Sequence, residues 1–349
     1  MGLVPSVAVV VPAFNSELRI GRCVEACLAQ SVPPHEVVVV DNGSGDDTAA
    51  VARSAGAKVI VEPVRGSYRA RNAGWRSTDA QIIAFTDADC VPETSWLEKL
   101  LLAFSDPTIA GAGGPIQHAH VRSITQRWCV ARHLLDQERN FETAFLPFVA
   151  TANAAYRRVS LEQMDGFEDQ LSSGGDVDLA WRIQMFGGVI AYRHDAIVNH
   201  HIEPRLGEIT SRYRRYATGH ALLARRWRSC GAERAIGSPL RDGIWMTCGL
   251  PLRVVAYLVR KRPVRFPCID TVANAYYMWG RLEGWRLARA SPLDPLPGIS
   301  AEHGRVYVSD PRGHRHNSEL PSTPSGIARP SSDKIVGGRS SAEPVRPTG

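Results

Sequence analysis

The sequence lacks the features of several common protein classes. Its seven cysteines are odd in number and include no C-x-x-C pair, so neither a disulfide framework nor a paired-cysteine zinc site is expected. Ordinary buried thiols and a cytoplasmic location fit this pattern best. The start of the chain, Met1 to Val11, has no basic flank and only a short apolar run, which predicts a first strand and no signal peptide.

No confident membrane-spanning helix is predicted either. The apolar segment Gly243 to Val259 is interrupted by Pro251 and Arg253 and falls short of the ~20 residues that a spanning helix needs. The chain has 349 residues and 44% hydrophobic content, which is enough for a globular core. Residues 291–349 are rich in Pro, Ser, Gly and Arg and poor in aromatic residues, so this tail is predicted to be disordered.

The net charge of +6 is unevenly distributed. Thirteen Lys or Arg stand against four Asp or Glu between Glu203 and Arg262, so this stretch carries about +9 and the remainder about −3. Asp242 to Arg262 and Cys268 to Ala288 are short segments, apolar on one side and edged with arginine, a pattern typical of helices at an anionic membrane surface. The alternative is a pair of helices packed on the main domain. A nucleic-acid partner is not expected.

The first hundred residues alternate between strand-like and helix-like patterns. The predicted strands are 7–11, 36–40, 58–61 and 81–85, and the predicted helices are 16–30, 46–55, 67–76 and 93–104. This alternation predicts an α/β fold with a mostly parallel central sheet. Ligands of such sheets bind beyond the carboxyl ends of the strands. Helices are expected to dominate from Arg122 onward.

Two carboxylates follow the fourth predicted strand. Residues two apart in an extended chain point the same way, so Asp87 and Asp89 can direct both carboxylates to one point. Mg²⁺ or Mn²⁺ prefers such oxygen ligands and commonly bridges them to substrate phosphates. The alternative for both residues is an ordinary turn or helix cap.

The ends of the first two strands suggest a nucleotide site. Strand one ends in Pro12-Ala13-Phe14-Asn15, which places an aromatic ring and an amide at the sheet edge, and lacks the G-x-G-x-x-G turn of dinucleotide oxidoreductases. Strand two ends at Asp41 and runs through Gly43, Ser44 and Gly45, a tight turn that exposes amides before a helix. The alternative is a polar turn with an Asp cap.

A third polar motif is the loop Gly174 to Leu179. Asp176 at this predicted loop-to-helix junction could take a proton from an acceptor hydroxyl. The alternative is helix capping by Asp178 with Asp176 as a solvated neighbour.

In this order, the motifs resemble those of the family-2 glycosyltransferases, whose catalytic domain has the GT-A fold. The resemblance spans Val7 to Trp227 and is carried by seven segments: VVVPAFN, VVDNGSGDDT, ARNAG, FTDADC, TANAAYRR, DGF and GGDVDLAWR. It implies a GT-A catalytic domain over 1–227. Composition and charge predict a basic, partly apolar helical region over 228–290, a candidate for the membrane interface, and the tail over 291–349. The resemblance also implies inverting transfer of a sugar from a nucleotide-diphosphate donor to a hydroxyl acceptor in the synthesis of cell-envelope, polysaccharide or other glycoconjugates.

The resemblance also implies site roles. Pro12, Phe14, Asn15, Asp41 and Ser44 would form the nucleotide end of the site. Arg71 would approach the diphosphate, and Asn153 would lie near the sugar or the acceptor. Asp87 and Asp89 would hold Mg²⁺ or Mn²⁺, and Asp176 would be the general base. His200 or His201 is a candidate further ligand, and the alternative for each is a plain surface histidine.

The chain departs from the family pattern in two ways. Relatives usually have Glu before the catalytic Asp, whereas this chain has Gly175, which leaves one acceptor contact unassigned. The absence of a QxxRW motif and of membrane spans favours addition of single sugars over polymerisation. A lipid-linked acceptor and peripheral association with the inner face of the cell membrane are further hypotheses. The rival function is a non-catalytic sugar-nucleotide-binding or scaffold protein of the same fold.

Overall fold

The computed structural model describes residues 5–119, 121–143, 145–201, 205–232 and 267–290, together with the backbone of three short strands between 299 and 318. All strands and helices predicted for the first hundred residues are present, with ends shifted by a few residues. They are β1 Val7–Ala13, α1 Glu17–Leu28, β2 Glu36–Asp41, α2 Thr48–Ser54, β3 Lys58–Val61, α3 Ser67–Arg76, β4 Ile82–Thr86 and α4 Trp96–Ala103.

The second half is less helical than predicted. Its elements are β5 Cys90–Pro92, β6 Ile109–Gly113, β7 Ile116–His118, α5 Ile124–Ala131, β8 Asn153–Arg157, α6 Arg158–Gln163, α7 Gly175–Met185, β9 Val189–Tyr192, β10 Val198–His200, α8 Leu206–Arg226 and α9 Pro267–Ala290. The strands β8, β9 and β10 fall where helices were expected to dominate. Each is short and is defined by partners distant in sequence, so its own residues give little periodic signal.

A seven-stranded sheet in the order β3-β2-β1-β4-β8-β6-β9 forms the centre of the fold. Its pairings are parallel except for those of β8, which runs antiparallel to β4 and β6. The predicted mostly parallel sheet is therefore confirmed. Alternate residues of the buried strands face opposite layers: Val10 packs toward α3 and α7, and Val9 packs toward α1 and α4. Helices cover both faces, as parallel sheets require.

A small second sheet completes one wall of the site. It has the order β5-β10-β7, and its register aligns His200 with Cys90 on one side and with His118 on the other. Because Asp89 immediately precedes β5, this register brings His200 next to it.

Helix α9 is joined to the main body by its packing against α8 and α5. A Cβ at Gly280 would lie 2.1 Å from the carbonyl oxygen of Arg214, so the two helix backbones nearly touch. Glu283 accepts two hydrogen bonds from Arg214 at 2.7 and 2.8 Å, and Asp270 accepts one from Trp128 at 2.8 Å. The predicted C-terminal helical part is thus present in the part of the chain described. None of the described helices is both long enough and apolar enough to cross a bilayer.

Three short strands lie within the region predicted to be disordered. They are β11 Ile299–Glu302, β12 Arg305–Ser309 and β13 Arg315–Ser318, which form an antiparallel sheet. The first two strands contain Ile299, Val306, Tyr307 and Val308, a local apolar pattern within the otherwise polar tail. The rest of 291–349 and the apolar segment Gly243 to Val259 lie outside the described residues.

Candidate active site

A cleft of about 970 Å³ opens beyond the carboxyl ends of β1 and β4. Its walls come from these strand ends, the first turns of α3 and α7, strand β10 and helix α8. Eight of the predicted site residues line it: Pro12, Phe14, Asn15, Arg71, Asp87, Asp89, Asp176 and His200. The fold therefore assembles in one cavity side chains that are up to 188 residues apart in sequence.

One end of the cleft is aromatic. Phe14 is 42% exposed, and the guanidinium carbon of Arg65 lies 3.0 Å from its ring centroid. Asn15 adopts a left-handed backbone with φ of 45°, and its side-chain oxygen accepts a hydrogen bond of 2.9 Å from the amide of Gly45. A flat ring with a cation and an amide beside it suits a nucleotide base.

Asp41 and Ser44 do not line the cleft. The Asp41 carboxylate accepts a hydrogen bond of 3.2 Å from the amide of Ser44, and the Ser44 hydroxyl accepts one of 3.0 Å from the amide of Asn15. The two residues hold the loops at the predicted nucleotide end in position. Asn42, which the sequence reasoning missed, is the residue of this turn that reaches the cavity.

Asn153 is not where it was predicted to be. It is fully buried, its amide nitrogen donates to the carbonyls of Pro115 and Ala196 at 2.9 and 2.8 Å, and its oxygen accepts from the Trp96 indole at 2.7 Å. These bonds use both its amide nitrogen and its oxygen away from the cleft. Asn153 therefore ties β8 to its neighbours, and its predicted place near the sugar or acceptor is corrected.

Asp89 and His200 form the compact centre of the predicted metal site. The Nε2 atom of His200 lies 3.3 Å from Asp89 Oδ1. Burial raises the pKa of the Asp89 carboxyl, but the hydrogen bond from His200 and the nearby positive charges outweigh this effect and leave the pKa below its usual value. His201 contributes a backbone hydrogen bond to the carbonyl of Asp89, whereas the His200 side chain lines the cleft.

Cys90 joins Asp89 and His200 in a cluster whose ligand atoms all lie within 4.8 Å of one another. Burial raises the pKa of the Cys90 thiol well above its usual value, so the sulfur stays protonated. A protonated thiol is a poor ligand for a hard cation. Asp89 and His200 are therefore the two members of this cluster suited to Mg²⁺ or Mn²⁺.

Asp87 and Arg71 were predicted as separate contacts, but here they pair with each other. A guanidinium nitrogen of Arg71 lies 2.5 Å from Asp87 Oδ1, and the Nε atom of Arg71 is buried without a hydrogen-bond partner among the described residues. A buried guanidinium with an unused donor at the cleft wall is suited to an incoming phosphate oxygen.

Asp176 lies in the first turn of α7, half-buried at the cleft wall. Its Oδ1 accepts a hydrogen bond of 3.1 Å from the phenol of Tyr68 on α3. Burial raises the pKa of the Asp176 carboxyl, against the opposing effects of the Arg71 charge and of hydrogen bonds from Val177 and Tyr68. Burial also raises the pKa of Tyr68 well above its usual value, so the phenol remains a donor.

The space beside Gly175 is filled by the Tyr68 ring. A Cβ at Gly175 would lie 2.8 Å from two atoms of that ring, closer than packed carbon atoms approach. The ring is held from its other side by stacking on Phe167 with centroids 5.6 Å apart. Here Gly175, in place of the Glu usual in relatives, makes room for a tyrosine that contacts the predicted base.

Asp178 is not the helix cap considered above. It is 0% exposed, its Oδ2 accepts from Arg182 Nε at 2.8 Å, and its Oδ1 accepts from the Trp227 indole at 2.9 Å. A guanidinium nitrogen of Arg226 also lies 3.4 Å from Asp178 Oδ1. Asp178 therefore anchors α7 to α8 through buried ionic contacts.

Helix α8 supplies cleft residues that were not among the predicted site residues. Arg212, Arg215, Tyr216 and His220 all line the cavity. Their spacing of three and four residues places them on one face of a helix, and this spacing is the signal that could have identified them.

The fold and the cleft define a nucleotide-sugar transferase of the GT-A type. The sequence model described as Glycosyl transferase family 2 matches residues 8–165. Glycosyltransferase AglE of Haloferax volcanii is 32% identical over 227 residues, which cover 62% of this chain and 73% of that protein. The chain belongs to the family-2 glycosyltransferases.

Two further relatives extend the comparison. The Pre-mycofactocin glycosyltransferase of Mycobacterium tuberculosis is 31% identical over 266 residues, which cover 72% of this chain and only 55% of that longer protein. Among solved structures, the mannosyltransferase PcManGT from Pyrobaculum calidifontis, in complex with GDP-Man and Mn²⁺, covers 83% of this chain and 76% of its own. Its TM-score is 0.51 at 21% identity, a similarity that establishes the shared fold.

Proposed function

We propose that the chain is an inverting, metal-dependent glycosyltransferase that transfers single sugars from a nucleotide-diphosphate donor to a hydroxyl acceptor. One observation carries the proposal: a single cleft brings the Asp176 carboxyl together with the Arg71 guanidinium and the Asp89–His200 pair. The raised pKa of Asp176 suits a base that must accept a proton in each turnover.

The donor would lie along the cleft with its base at Phe14 and its diphosphate at Arg71. Phe14 and Arg65 offer a stacking surface, and the unpaired Nε of buried Arg71 offers a charged donor to a phosphate oxygen. The nucleotide sugar and cation of the Pyrobaculum mannosyltransferase support this assignment by analogy of fold.

The residues present fit a divalent cation. Two ligands at right angles around Mg²⁺ or Mn²⁺, with bonds of about 2.1 Å, lie roughly 3 Å apart. The separation of 3.3 Å between Asp89 Oδ1 and His200 Nε2 is close to this value. We assign Asp89 and His200 as ligands, with Asp87 as a further candidate once Arg71 turns toward the diphosphate. When bound, the cation would neutralise charge on the departing diphosphate.

The transfer itself is a single displacement. The acceptor hydroxyl gives its proton to Asp176, and its oxygen forms a bond to the anomeric carbon as the bond from that carbon to the diphosphate oxygen breaks. The electron pair leaves with the diphosphate, whose developing charge Arg71 stabilises. Because attack and departure occur on opposite sides of the carbon, the anomeric configuration inverts.

The outer face of α9 supports association with a membrane surface and hence a lipid-linked acceptor. Trp279, Leu282 and Trp285 lie along one side of the helix and are 51%, 57% and 48% exposed. The guanidinium carbon of Arg289 lies 3.5 Å from the Trp285 ring centroid. Exposed tryptophans with arginine beside them are typical of helices in the interface of anionic bilayers.

Flotation with vesicles tests the membrane proposal. The full chain should float with anionic phosphatidylglycerol vesicles, and Trp279→Ser with Trp285→Ser should reduce the bound fraction severalfold. Leu102→Ser on α4 is the matched control, since Leu102 is equally exposed on another surface. Equal flotation of both variants would remove the α9 face from the interface.

Asp176→Asn tests the catalytic proposal against a non-catalytic sugar-binding protein. The amide keeps the shape but cannot accept the proton, so sugar transfer, or hydrolysis of the donor in the presence of Mn²⁺, should fall at least about a hundredfold while donor affinity is unchanged. Asp79→Asn is the control, because Asp79 is an exposed surface residue. A parent that leaves every UDP, GDP and dTDP sugar intact would favour the scaffold function.

A further inference from the structure

One face of α8 packs directly on the loop that precedes Asp176. A Cβ at Gly219 would lie 2.4 Å from the carbonyl oxygen of Ser173, and a Cβ at Gly174 would lie 2.8 Å from Leu223. Gly219 and Leu223 are four residues apart and therefore lie on the same side of the helix. This side of α8 is thus fixed against the residues just before the proposed base.

The same side of α8 continues into the cleft toward the helix N-terminus. Arg215 and Arg212 precede Gly219 by four and seven residues, and both line the cavity. At 1.5 Å per residue, they lie about 6 and 10 Å along the helix axis from the contact with the Asp176 loop. Two guanidinium groups therefore line the cleft from the helix that packs against the residues just before Asp176.

These two arginines differ from the other arginines of the region in their pairing. Arg214 and Arg226 on the same helix form ion pairs with Glu283 and Glu168, and Arg139 across the cleft pairs with Asp136. Within the described parts of the chain, the side chains of Arg212 and Arg215 form neither an ion pair nor a hydrogen bond. Their positive charges are therefore available to a ligand in the cleft.

The two arginines share the cavity with the other charged groups of the site. Both line it together with Arg71, Asp89 and Asp176. The donor diphosphate already has Arg71 and the proposed cation as partners. A second cationic pair on the side of the base indicates a second anion, bound together with the donor.

We propose that Arg212 and Arg215 bind a phosphate group carried by the acceptor, so that this enzyme glycosylates a phosphate-bearing alcohol. The assignment rests on the proposed function, since it takes Asp176 as the base that marks the acceptor side. Paired guanidinium groups match phosphate oxygens in charge and geometry. The phosphate would position the hydroxyl for attack, which a neutral alcohol could not do at this wall.

Binding measurements with simple probes test the proposal. Glycerol phosphate and glycerol are titrated calorimetrically into the full chain saturated with Mn²⁺ and UDP or GDP, whichever binds. The parent should bind glycerol phosphate and not glycerol. Arg212→Gln and Arg215→Gln should each weaken phosphate binding about tenfold, the scale of one lost charge-assisted hydrogen bond, while nucleotide affinity changes less than about twofold. Arg225→Gln, an exposed arginine of α8 outside the cleft, should change neither.

A second arm distinguishes a lipid phosphate from a soluble one. Flotation is measured with neutral phosphatidylcholine vesicles, with and without phosphatidic acid. The proteins compared are the parent, Arg212→Gln, Arg215→Gln and the variant that combines Trp279→Ser with Trp285→Ser. Phosphatidic-acid binding that needs both tryptophans and arginines assigns the acceptor to a lipid, and binding of glycerol phosphate alone assigns a soluble phosphate ester.

Three results would overturn the assignment. In the first, the parent does not bind glycerol phosphate. In the second, Arg225→Gln loses as much affinity for glycerol phosphate as the two cleft variants do. In the third, Arg212→Gln and Arg215→Gln lose as much affinity for the nucleotide as for glycerol phosphate. The last would place the two arginines on the donor diphosphate. Failure of the proposed base is separate, since it would show as full turnover in Asp176→Asn with phosphate binding intact.

Discussion

Removing the Tyr68 hydroxyl isolates one contact of the proposed base. Tyr68→Phe keeps the ring that fills the space beside Gly175 and removes only the 3.1 Å hydrogen bond to Asp176. A hydrogen bond to a charged group contributes roughly 1.5–3 kcal/mol, so its full loss would correspond to about a tenfold to hundredfold effect. Because Asp176 can reorient within the cleft, we expect kcat to fall about tenfold, with donor affinity unchanged.

The dependence of kcat on pH in Tyr68→Phe is a more specific test of this contact. The Tyr68 hydrogen bond lowers the pKa of Asp176, so its loss should raise that pKa further. A base is active when deprotonated, so the acid limb of the kcat profile should move to higher pH. Hydrolysis of the donor with Mn²⁺, measured from pH 5 to 9, gives this limb.

The matched control is Tyr156→Phe. Tyr156 is also buried near Asp176, but its hydroxyl has no hydrogen-bond partner among the described residues. Its removal should leave the acid limb in place. A Tyr68→Phe enzyme with the parental acid limb would refute the reasoning, whatever its kcat, because only a direct contact with Asp176 predicts the shift.

Two further predictions concern the metal and the core. Asp89→Ala should abolish the Mn²⁺ dependence of donor binding in a thermal-shift titration while the apo protein still melts cooperatively; unchanged dependence would remove Asp89 from the site. Asp178→Ala should leave buried Arg182 and Arg226 without their shared partner and lower the free energy of unfolding by about 3–5 kcal/mol in a urea titration. A loss below about 1 kcal/mol would show that these charges are solvated.

Several parts of the site could be predicted from local sequence because each depends on a single strand end. Asp87 and Asp89 follow β4, and Phe14 and Asn15 follow β1. The carboxyl ends of neighbouring parallel strands share an edge, so their convergence on one cleft follows from the alternating pattern alone. The likeness to a family then ordered these motifs and pointed to Asp176.

Other parts depend on contacts that no local pattern contains. Asn153 occurs in a family motif, yet its side-chain amide is bonded to Trp96, Pro115 and Ala196 within the core. Helix capping was the alternative considered for Asp178, but its partners include Trp227 and Arg226 at the end of α8. In both cases burial, which depends on distant elements, decides the role of a polar side chain.

By itself, the sequence determined the alternation of strands and helices, the edge of the sheet at which the cleft lies, and the family. These properties follow from periodicity and from residues close together along the chain. The tertiary structure alone decided that Tyr68 occupies the space beside Gly175 and contacts Asp176 across 108 residues, and that two arginines of α8 face the cleft. Such contacts form only when separate helices pack together. The position of each whole helix decides which side chains meet, and the residue spacing within a single helix does not contain that information.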